Sequence, residues 1–414
     1  MGVLTYNIFL FLFRIGIAIA SLFNPKAQLW IRGRKDIFPR LRAAFAHKPA
    51  VIWVHCASLG EFEQGRPLIE ALKTAYPAHE ILLTFFSPSG YENRKNYQGA
   101  DHIFYLPADG ASAAREFLEI VNPALVIFVK YEFWYYYLKK IKYREMPLIL
   151  VSALFWEKMS FFKWYGALQR KMLTRFDHLF VQDRESGRLL SAIGLGDRIT
   201  VSGDTRFDRV AAIAAVPAPI PELERFLDGN SKVIVAGSTW PADETLLARV
   251  MDALGADWKL VLAPHEIDEK HLLQVEATFP QAVRFTRFGT GPSAGNVLLI
   301  DNIGMLSRLY QYAHLTYIGG GFGKGIHNTL EAAVYGRPVF FGPVHQKFRE
   351  ASGLINAGAA FSINDAEGML EILRGFNNNP SLWQNSADAA AAYVQQNRGA
   401  TETILGYIRE KKLL

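Results

Sequence analysis

The sequence predicts an α/β protein of two doubly wound, Rossmann-like domains in tandem, preceded by an apolar N-terminal helix. From residue 49 onward, short apolar runs alternate with amphipathic helical stretches, and a Pro-rich segment at 216–221 interrupts a pattern that then restarts. Continuous apolar strands separated by helices are typical of parallel sheets covered on both faces. An apolar run at Tyr6–Phe23 comes before both domains.

The composition excludes several classes of protein. The chain has 414 residues, of which 50% are hydrophobic and 20% charged, so it can bury the cores of two or three domains and is not disordered. Its single cysteine, Cys56, excludes a disulfide framework and a Cys-rich metal site, and indicates a reducing compartment. The net charge of +6 is mild, and no basic block of the kind that binds nucleic acid is present. We therefore expect no nucleic-acid partner.

The N-terminal run is predicted to be a membrane anchor, either spanning or interfacial. Seven Lys or Arg and one acid follow it between Lys26 and Lys48, which fits the cytoplasmic side of an anionic leaflet. A secretory signal lacks a cleavage site here, and a buried core helix conflicts with Arg14, which we expect to reach toward lipid headgroups. Residues 1–24 are thus assigned to attachment rather than catalysis, and residues 25–48 to a basic membrane-proximal segment.

The strands and domain boundaries follow from the alternation. The N-terminal domain is predicted over residues 49–210, with strands at Val51–Val54, Ile81–Phe85, Ile103–Leu106, Leu125–Val129, Leu148–Val151, Leu179–Val181 and Ile199–Ser202. A linker at 211–222 leads to a C-terminal domain over 223–414 that includes the last helices. Its strands are predicted at Val233–Ala236, Leu260–Leu262, Val297–Ile300, Leu315–Ile318 and Pro338–Phe341. Two such domains are expected to face a cleft, with functional residues just after strands.

The turn Ala57-Ser58-Leu59-Gly60-Glu61 follows the first strand. Ser58-x-x-Glu61 is a capping box, which is sufficient to explain both residues. Alternatively, Glu61 faces the cleft as a general base. The helix N-terminus lowers a carboxylate's pKa, yet a base that accepts its proton late need not be strong. This turn leaves both interpretations open.

A second carboxylate lies at the same level of the sheet. It belongs to Lys130-Tyr131-Glu132-Phe133-Trp134, after the strand that ends at Val129. A Glu among aromatic residues is costly unless it is paired or functional. A solvated loop carboxylate is the alternative, but the shared level with Glu61 favours a functional Glu132.

A glycine-rich turn, Gly319-Gly320-Gly321-Phe322-Gly323-Lys324-Gly325, lies between a strand and a helix in the second half. It matches neither the P-loop nor the dinucleotide-binding fingerprint. Its glycine density favours phosphate binding by backbone N–H groups, and the following Asn328-Thr329-Leu330-Glu331 can either cap the helix or hold a ribose. Gly320 and Gly321 are therefore nucleotide-site candidates.

Further nucleotide contacts are predicted from other turns of the second domain. Each follows a predicted strand, and their common placement carries more weight than any one of them: Ser238 and Thr239, then Pro264, His265 and Glu266, then Ile303, Gly304 and Met305. Arg206, at the domain junction, can neutralise phosphate charge.

Metal, cofactor and hydrolase chemistry find no support. No Asp-x-Asp occurs in the chain, which lacks the usual divalent-metal clamp of sugar transferases, and no G-x-S-x-G nucleophile elbow is present. We expect neither a metal site nor a cofactor.

Together these motifs resemble the Kdo transferases, which transfer 3-deoxy-D-manno-octulosonic acid (Kdo) in lipopolysaccharide assembly. The resemblance covers the whole chain in order: the apolar anchor, Ala57–Glu61, Lys130–Trp134, Gly203-Asp204-Thr205-Arg206-Phe207-Asp208, and Gly321 through His327-Asn328-Thr329-Leu330-Glu331-Ala332-Ala333. It implies a GT-B fold and an inverting, metal-independent transfer of Kdo from CMP-Kdo to a lipid A precursor on the cytoplasmic face of the bacterial inner membrane.

The resemblance also implies roles for particular residues. Glu61 falls on the family's base, and Glu132 and Arg206 on residues that assist at the transition state. Ser58, Gly60, Ser87, Ser89 and Gly90 are candidates for contacts with the sugar substrate. The chain departs from the family at Pro264-His265-Glu266, where Pro-Arg-His is common, at Arg206, where Lys is common, and at Thr329, where Pro is frequent.

Two other functions remain open from the sequence. A nucleotide-sugar epimerase has the same two-domain build but needs no membrane anchor. A non-catalytic, membrane-bound nucleotide-binding protein would use Glu61 only as a capping residue.

Overall fold

The computed structural model describes residues 2–216, 218–227, 229, 232–255, 257–289 and 295–414. The chain forms two compact units, Met1–Asp208 together with Gly399–Leu414, and Arg209–Arg398. Residues Gly399–Leu414 were predicted to belong to the C-terminal domain. They belong to the first unit instead, because the last helix packs on that unit.

The first unit contains a seven-stranded parallel sheet in the order β3-β2-β1-β4-β5-β6-β7. Its strands are β1 (Val51–Cys56), β2 (Glu80–Phe85), β3 (His102–Tyr105), β4 (Leu125–Val129), β5 (Leu148–Ala153), β6 (His178–Val181) and β7 (Ile199–Val201). Every residue of β1 and β4 is buried, which explains their uninterrupted apolar pattern.

Helices flank this sheet and connect its strands. They are α1 (Gly2–Ala20), α2 (Pro25–Arg32), α3 (Ile37–Ala44), α4 (Leu59–Ala75), α5 (Pro88–Arg94), α6 (Ala111–Val121), α7 (Tyr135–Tyr143), α8 (Ala167–Leu173), α9 (Arg184–Ser191) and α10 (Thr205–Ala214), which continues into the second unit. The final helix of the chain, α19 (Ala400–Glu410), returns to this unit and packs on α4.

The second unit holds another seven-stranded parallel sheet, in the order β10-β11-β9-β8-β12-β13-β14. Its strands are β8 (Lys232–Thr239), β9 (Trp258–Pro264), β10 (Ala282–Arg284), β11 (Val297–Leu299), β12 (Leu315–Ile318), β13 (Val339–Phe341) and β14 (Ala360–Ser362). Its helices are α11 (Pro221–Leu227), α12 (Pro241–Leu254), α13 (Glu269–Thr278), α14 (Leu306–Leu309), α15 (Leu330–Ala333), α16 (Arg349–Asn356), α17 (Ala366–Asn378) and α18 (Pro380–Gln396).

Every strand predicted from the sequence overlaps a strand of the structure, but β10 and β14 were missed. Each contains a single β-branched or aromatic residue, Val283 and Phe361, so neither shows the run of strand-forming residues from which the other strands were predicted. The predicted linker at 211–222 begins inside α10 and ends inside α11, so it is partly helical. Residue 217 of that linker lies outside the described residues.

The N-terminal helix α1 is long and apolar enough to cross a membrane, judged by length and composition. Apolar side chains along one side of it are exposed, among them Leu4, Ile8, Phe11, Leu12, Ile15 and Ile19. Arg14 is exposed, and its Nη2 donates to the Asp109 carbonyl at 3.2 Å.

The segment at 25–48 is not simply a basic surface, which corrects its predicted role. Ile37, Leu41 and Phe45 are part of the buried core of the first unit. The Arg34 guanidinium lies 3.8 Å from the Trp30 ring and donates to the carbonyls of Leu106 and Phe86. The charge of Arg34 is therefore used inside the domain, not at a lipid surface.

Candidate active site

The two candidate carboxylates of the first unit lie at a topological switch point of its sheet. β1 and β4 are parallel neighbours in the middle of the sheet. From β1 the chain continues to β2 on one side, and from β4 it continues to β5 on the other side. Ligands of such sheets bind outside the carboxyl ends of the strands at this point. Glu61 follows β1 and Glu132 follows β4. Burial raises the pKa of the Cys56 thiol at the end of β1, and the charges of Glu61 and Glu132 raise it further. Both carboxylates are thus near one buried sulfur.

Glu61 lies in the first turn of α4 and is held by Ser58. The Ser58 Oγ accepts from the Gly60 N–H at 3.3 Å and its hydroxyl donates to Glu61 Oε2. The predicted capping box would instead pair each side chain with the other residue's backbone N–H. Ser58 caps the helix as expected, but the Glu61 carboxylate is bound by a hydroxyl. A partly exposed carboxylate oriented by one hydroxyl remains accessible to a proton.

Glu132 is 8% exposed and accepts two hydrogen bonds on Oε2. His55 Nε2 lies 3.0 Å away and the Trp134 indole N–H donates at 2.5 Å. An indole N–H is a donor only, so this oxygen of Glu132 must act as an acceptor. The arrangement suits a carboxylate that supplies fixed negative charge rather than one that gives up a proton.

His55 is anchored from behind by Thr84. His55 Nδ1 lies 2.8 Å from Thr84 Oγ1, which in turn accepts from the Trp53 indole at 2.8 Å. His55 Nδ1 also lies 3.1 Å from the Thr84 carbonyl oxygen, so Thr84 on one side and Glu132 on the other fix the orientation of the His55 ring. His55 and Trp134 were not predicted as site residues, although Trp134 ends one of the quoted motifs and His55 lies shortly before the other.

Arg206 is the second residue of α10, which starts at the same edge of the sheet, and its guanidinium is bound by Asp204. Its Nε and Nη2 lie 2.9 and 2.7 Å from Asp204 Oδ2. The neighbouring Thr205 is fully buried and its hydroxyl donates to the Gln64 carbonyl in α4, at 2.5 Å. This bond ties the start of α10 to the helix that carries Glu61. The positive charge of Arg206 is present but partly neutralised by Asp204.

Ser87, Ser89 and Gly90 form the start of α5, after β2. Ser87 caps the helix by accepting from the Ser89 N–H at 3.2 Å, and the two hydroxyls lie 3.0 Å apart. A Cβ on Gly90 would lie 2.2 Å from the Phe85 ring, so glycine is required there for packing. The two serine hydroxyls are the groups of this turn that could meet a substrate.

The second unit has its own switch point, between β8 and β12. Ser238 lies at the carboxyl end of β8, the turn after β12 carries the glycine-rich segment, and β8 and β12 pair in parallel. The end of β8 and this turn are in direct backbone contact, because a Cβ on Gly319 would lie 2.3 Å from the Ser238 carbonyl oxygen. The glycines therefore permit close packing of two turns.

Two groups that were predicted to bind phosphate make hydrogen bonds within the second unit instead. The Gly320 N–H donates to Asp243 Oδ2 at 2.9 Å, and Thr239 is fully buried with its hydroxyl donated to Glu244 at 3.0 Å. Neither group is offered to a phosphate, which corrects both assignments. Gly321 packs against Gly342, where a Cβ would lie 2.5 Å from its backbone nitrogen. Ser238, half-buried, retains its candidacy.

Glu331 and Asn328 lie together at the start of α15. Asn328 Nδ2 donates to Glu331 Oε1 at 2.9 Å, and its Oδ1 accepts from the Leu330 N–H at 3.1 Å, so the predicted cap forms. Burial raises the pKa of Glu331, while Asn328 and the positive charge of Arg209 act to lower it. Arg209 is a further candidate that sequence reasoning missed, since it lies far from Glu331 in the chain.

The Thr329 and Leu330 side chains are not available to a ligand, so a nucleotide contact at these two predicted residues would have to use their backbone. Both are fully buried. Thr329 Oγ1 has no hydrogen-bond partner among the described residues. The helix that follows is one turn long, so residues at its start are held by core packing.

Three rings stack beside the glycine-rich turn. The His265 ring lies between Trp240 and His327, with centroids 4.8 and 4.4 Å away. The Trp240 indole donates to His327 Nε2 at 3.3 Å, and burial lowers the pKa of His327 to about 4. Trp240 and His327 border a cavity of about 480 Å³ together with Phe322 and Lys324. A neutral aromatic wall with one ammonium at its rim can hold a planar or apolar group.

The remaining predicted contacts lie at strand ends but differ in exposure. Pro264 is buried as the last residue of β9, whereas Glu266 is exposed. Ile303 is 87% exposed, Gly304 has a φ of +97°, and Met305 precedes α14. An exposed apolar residue on a glycine turn is available for contact with a base.

Most of the first unit is similar to a known protein family. Residues 34–209 match the family model described as 3-deoxy-D-manno-octulosonic-acid transferase (kdotransferase). The chain is 27% identical over 343 residues to the transferase of that name from Aquifex aeolicus, covering 80% of this chain and 86% of the relative. It is 28% identical over 413 residues to the one from Bordetella pertussis, covering 92% and 95%.

A longer relative contains the match within a larger protein. The chain is 23% identical over 359 residues to a bifunctional glycosyltransferase/methyltransferase of Fusobacterium nucleatum, and spans 55% of that protein's length.

Solved structures support the fold. A UDP-GlcNAc 2-epimerase from Neisseria meningitidis superposes with a TM-score of 0.63 at 17% identity, covering 87% of this chain and all of that one. A putative UDP-N-acetylglucosamine 2-epimerase from Listeria monocytogenes gives 0.61 at 16% identity, covering 88% and 96%. The two Rossmann-like, GT-B-type domains predicted from the sequence are thus confirmed. Together with the family match, the curated relatives confirm the resemblance found in the sequence: the chain is similar to the Kdo transferases, and it is a glycosyltransferase.

Proposed function

We propose that this protein transfers Kdo from CMP-Kdo to a lipid A precursor, lipid IVA, in lipopolysaccharide assembly, with inversion and without a metal. The observation that carries the proposal is the pair of carboxylates at the switch point of the first sheet, in a domain that matches the Kdo transferase model. Glu61 is held by a hydroxyl, and Glu132 is fixed by two nitrogens.

The proposed reaction is a single displacement at the anomeric carbon of Kdo. An acceptor hydroxyl oxygen forms the new bond, the bond from Kdo to the CMP phosphate breaks, and the phosphate oxygen leaves with the electron pair. Glu61 takes the acceptor's proton as the attacked centre becomes cationic. The two carboxylates have different tasks, since Glu132 already accepts two hydrogen bonds and its charge can stabilise an oxocarbenium-like state.

The leaving phosphate must be stabilised by groups of the protein. Arg206 supplies positive charge at the sheet edge that carries Glu61. The Asp204 carboxylate now bound to Arg206 would have to share that cation with the phosphate. We therefore expect donor binding to weaken the Arg206–Asp204 pair.

The acceptor is proposed to reach the enzyme from a membrane. The exposed apolar side of α1 supports attachment to the cytoplasmic face of the bacterial inner membrane, whose anionic leaflet would contact basic residues near it. The contacts of Arg14 and other inward residues with the first unit favour a helix lying at the interface over one that spans the bilayer.

The direct test is product analysis with the full-length protein. Purified enzyme is incubated with CMP-Kdo and a tetra-acylated lipid A precursor, and the lipid product is weighed by mass spectrometry. A mass increase of one or more Kdo units is expected, together with release of CMP. An unmodified acceptor under conditions where the protein is folded and binds CMP would refute the proposal.

Two other functions are distinguished by the same assay. A nucleotide-sugar epimerase, favoured by the superposed epimerase folds, would change a nucleotide sugar without any lipid acceptor. A non-catalytic nucleotide-binding protein would bind CMP and convert nothing.

A further inference from the structure

The inward side of α1 makes polar contacts that attachment to a membrane does not require. The Tyr6 hydroxyl donates to Asp109 Oδ2 at 2.6 Å and accepts from the Tyr135 N–H at 3.2 Å. Arg14 Nη2 donates to the carbonyl of the same aspartate at 3.2 Å. One side of α1 is thus exposed and apolar, and the other is hydrogen-bonded to the first unit.

Asp109 supplies the cap that helix α7 lacks. The residue before α7, Trp134, provides no side-chain cap. Instead the Asp109 carboxylate accepts from the backbone N–H of Tyr136 at 3.0 Å and of Tyr137 at 3.2 Å. The first N–H groups of a helix have no partner within it, and a carboxylate there also interacts favourably with the helix dipole. Tyr6, Asp109 and the first turn of α7 therefore form one hydrogen-bonded unit, here called the α7 clamp.

The α7 clamp is adjacent to the catalytic carboxylate. Glu132 is separated from α7 by two residues, and the second of them, Trp134, donates its indole N–H to Glu132. A second set of contacts reaches the same indole from α1. The Phe13 ring lies 6.0 Å from the Phe86 ring, which lies 4.6 Å from the Trp134 ring.

We propose that the inward side of α1 is a positioning element of the active site. Tyr6 acts through Asp109 on the first turn of α7 and so holds Glu132 and Trp134 in their catalytic arrangement. The membrane-facing helix is then also part of the alignment of the site, which goes beyond the attachment role expected from the sequence. The inference rests on the proposed function for the role of Glu132.

The mildest test is Tyr6→Phe in the full-length protein. It removes the hydroxyl of the α7 clamp and keeps the ring. Small misplacement of a catalytic group is enough to slow a reaction strongly. We expect kcat with detergent-solubilised acceptor to fall by about 10–100-fold. The KM for CMP-Kdo and the affinity for CMP should not change, because the nucleotide candidates lie in the second unit.

Tyr97→Phe is the matched control. It removes another phenol–carboxylate hydrogen bond of the first unit, the 3.0 Å bond from Tyr97 to Glu70. Wild-type turnover is expected for this variant. Asp109→Asn, which keeps the shape but removes the charge of the cap, should lower kcat in the same way as Tyr6→Phe.

Two further measurements separate alignment from attachment and from the chemistry itself. Flotation with phosphatidylethanolamine–phosphatidylglycerol vesicles should be the same for Tyr6→Phe and wild type. Hydrogen–deuterium exchange should increase over residues 131–140 in Tyr6→Phe and not in the control. Wild-type kcat in Tyr6→Phe, or unchanged exchange over 131–140, overturns the proposal, as does loss of vesicle binding that accounts for the lost turnover. If the wild-type protein does not transfer Kdo but the exchange increases, the proposed function fails while the α7 clamp stands.

Discussion

Replacement of Glu61 by Gln separates the catalytic from the structural interpretation of this residue. Glu61 contributes little to the stability of the helix start, because the cap is the hydrogen bond from the Gly60 N–H to the Ser58 Oγ. The substitution leaves this bond in place. The amide oxygen of Gln can still accept from the Ser58 hydroxyl. What Gln cannot do is take a proton from an acceptor hydroxyl.

The two interpretations predict effects of very different size. A lost negative charge in the first turn of a helix costs about 0.3–1 kcal/mol of stability. A lost general base slows a reaction by about 10²–10⁴-fold. At 1.36 kcal/mol for each tenfold change, this corresponds to about 3–5 kcal/mol of transition-state stabilisation. We therefore expect near-normal melting, normal CMP affinity and almost no transfer.

The assay follows single-turnover formation of Kdo-lipid by mass spectrometry, with thermal melting and CMP calorimetry on the same preparation. Glu63→Gln is the matched control, because Glu63 lies in the same helix and its Oε1 binds Arg94 at 2.9 Å. It should keep wild-type turnover. Wild-type turnover in Glu61→Gln would refute the assignment of the base and make Glu132 the next candidate.

Three further predictions concern the second unit. Glu331→Ala should weaken CMP binding by about 1–3 kcal/mol for lost hydrogen bonds to a charged group, and an unchanged calorimetric affinity in a folded variant would place the nucleotide elsewhere. His327 has a pKa of about 4 in the folded protein against 6.5 for the free side chain. The unfolded chain therefore takes up this proton at a higher pH than the folded protein does, so the stability contribution present above pH 6.5 should be lost as the pH falls toward 4. In NMR, His327 should stay neutral at pH 6 with its proton on Nδ1, because Nε2 accepts from Trp240, and an imidazolium at that pH would contradict this assignment. Gly319→Ala should destabilise the protein by about 1–3 kcal/mol or more through a clash with the Ser238 carbonyl, and an unchanged denaturant midpoint would show that these turns separate easily.

The fold was largely predictable because its signal is local. A strand buried on both faces, such as Leu125–Val129, is apolar at every position, and its predicted bounds match β4. The strands β10 and β14 were missed because each contains only one β-branched or aromatic residue and so lacks a strand-forming run. Return of the last helix to the first unit could not be predicted, because its packing on α4 joins residues more than 300 positions apart along the chain.

The site was predictable where a motif stands directly after a strand. Glu61 and Glu132 lie at neighbouring strand ends, as the parallel sheet requires. His55 was passed over because a histidine inside a strand resembles a core residue, and only the sheet register places its ring beside Glu132. The glycine-rich turn was assigned to phosphate, but Asp243 accepts the Gly320 N–H. Glycine density does not distinguish close backbone packing from an anion site.

By itself, the sequence determined the two parallel sheets, the level of the sheet at which the carboxylates lie, and the apolar helix before them. These features depend on burial, strand period and helix caps, and each of those is visible in residues that are neighbours along the chain. The tertiary structure decided which partners those groups meet. It placed Arg14 and Tyr6 in contact with Asp109, Arg34 among carbonyls, and the Thr329 side chain in the core. Hydrogen-bond partners are chosen by distance and direction in space, and residues about a hundred positions apart, such as Tyr6 and Asp109, give no sign of each other in the chain.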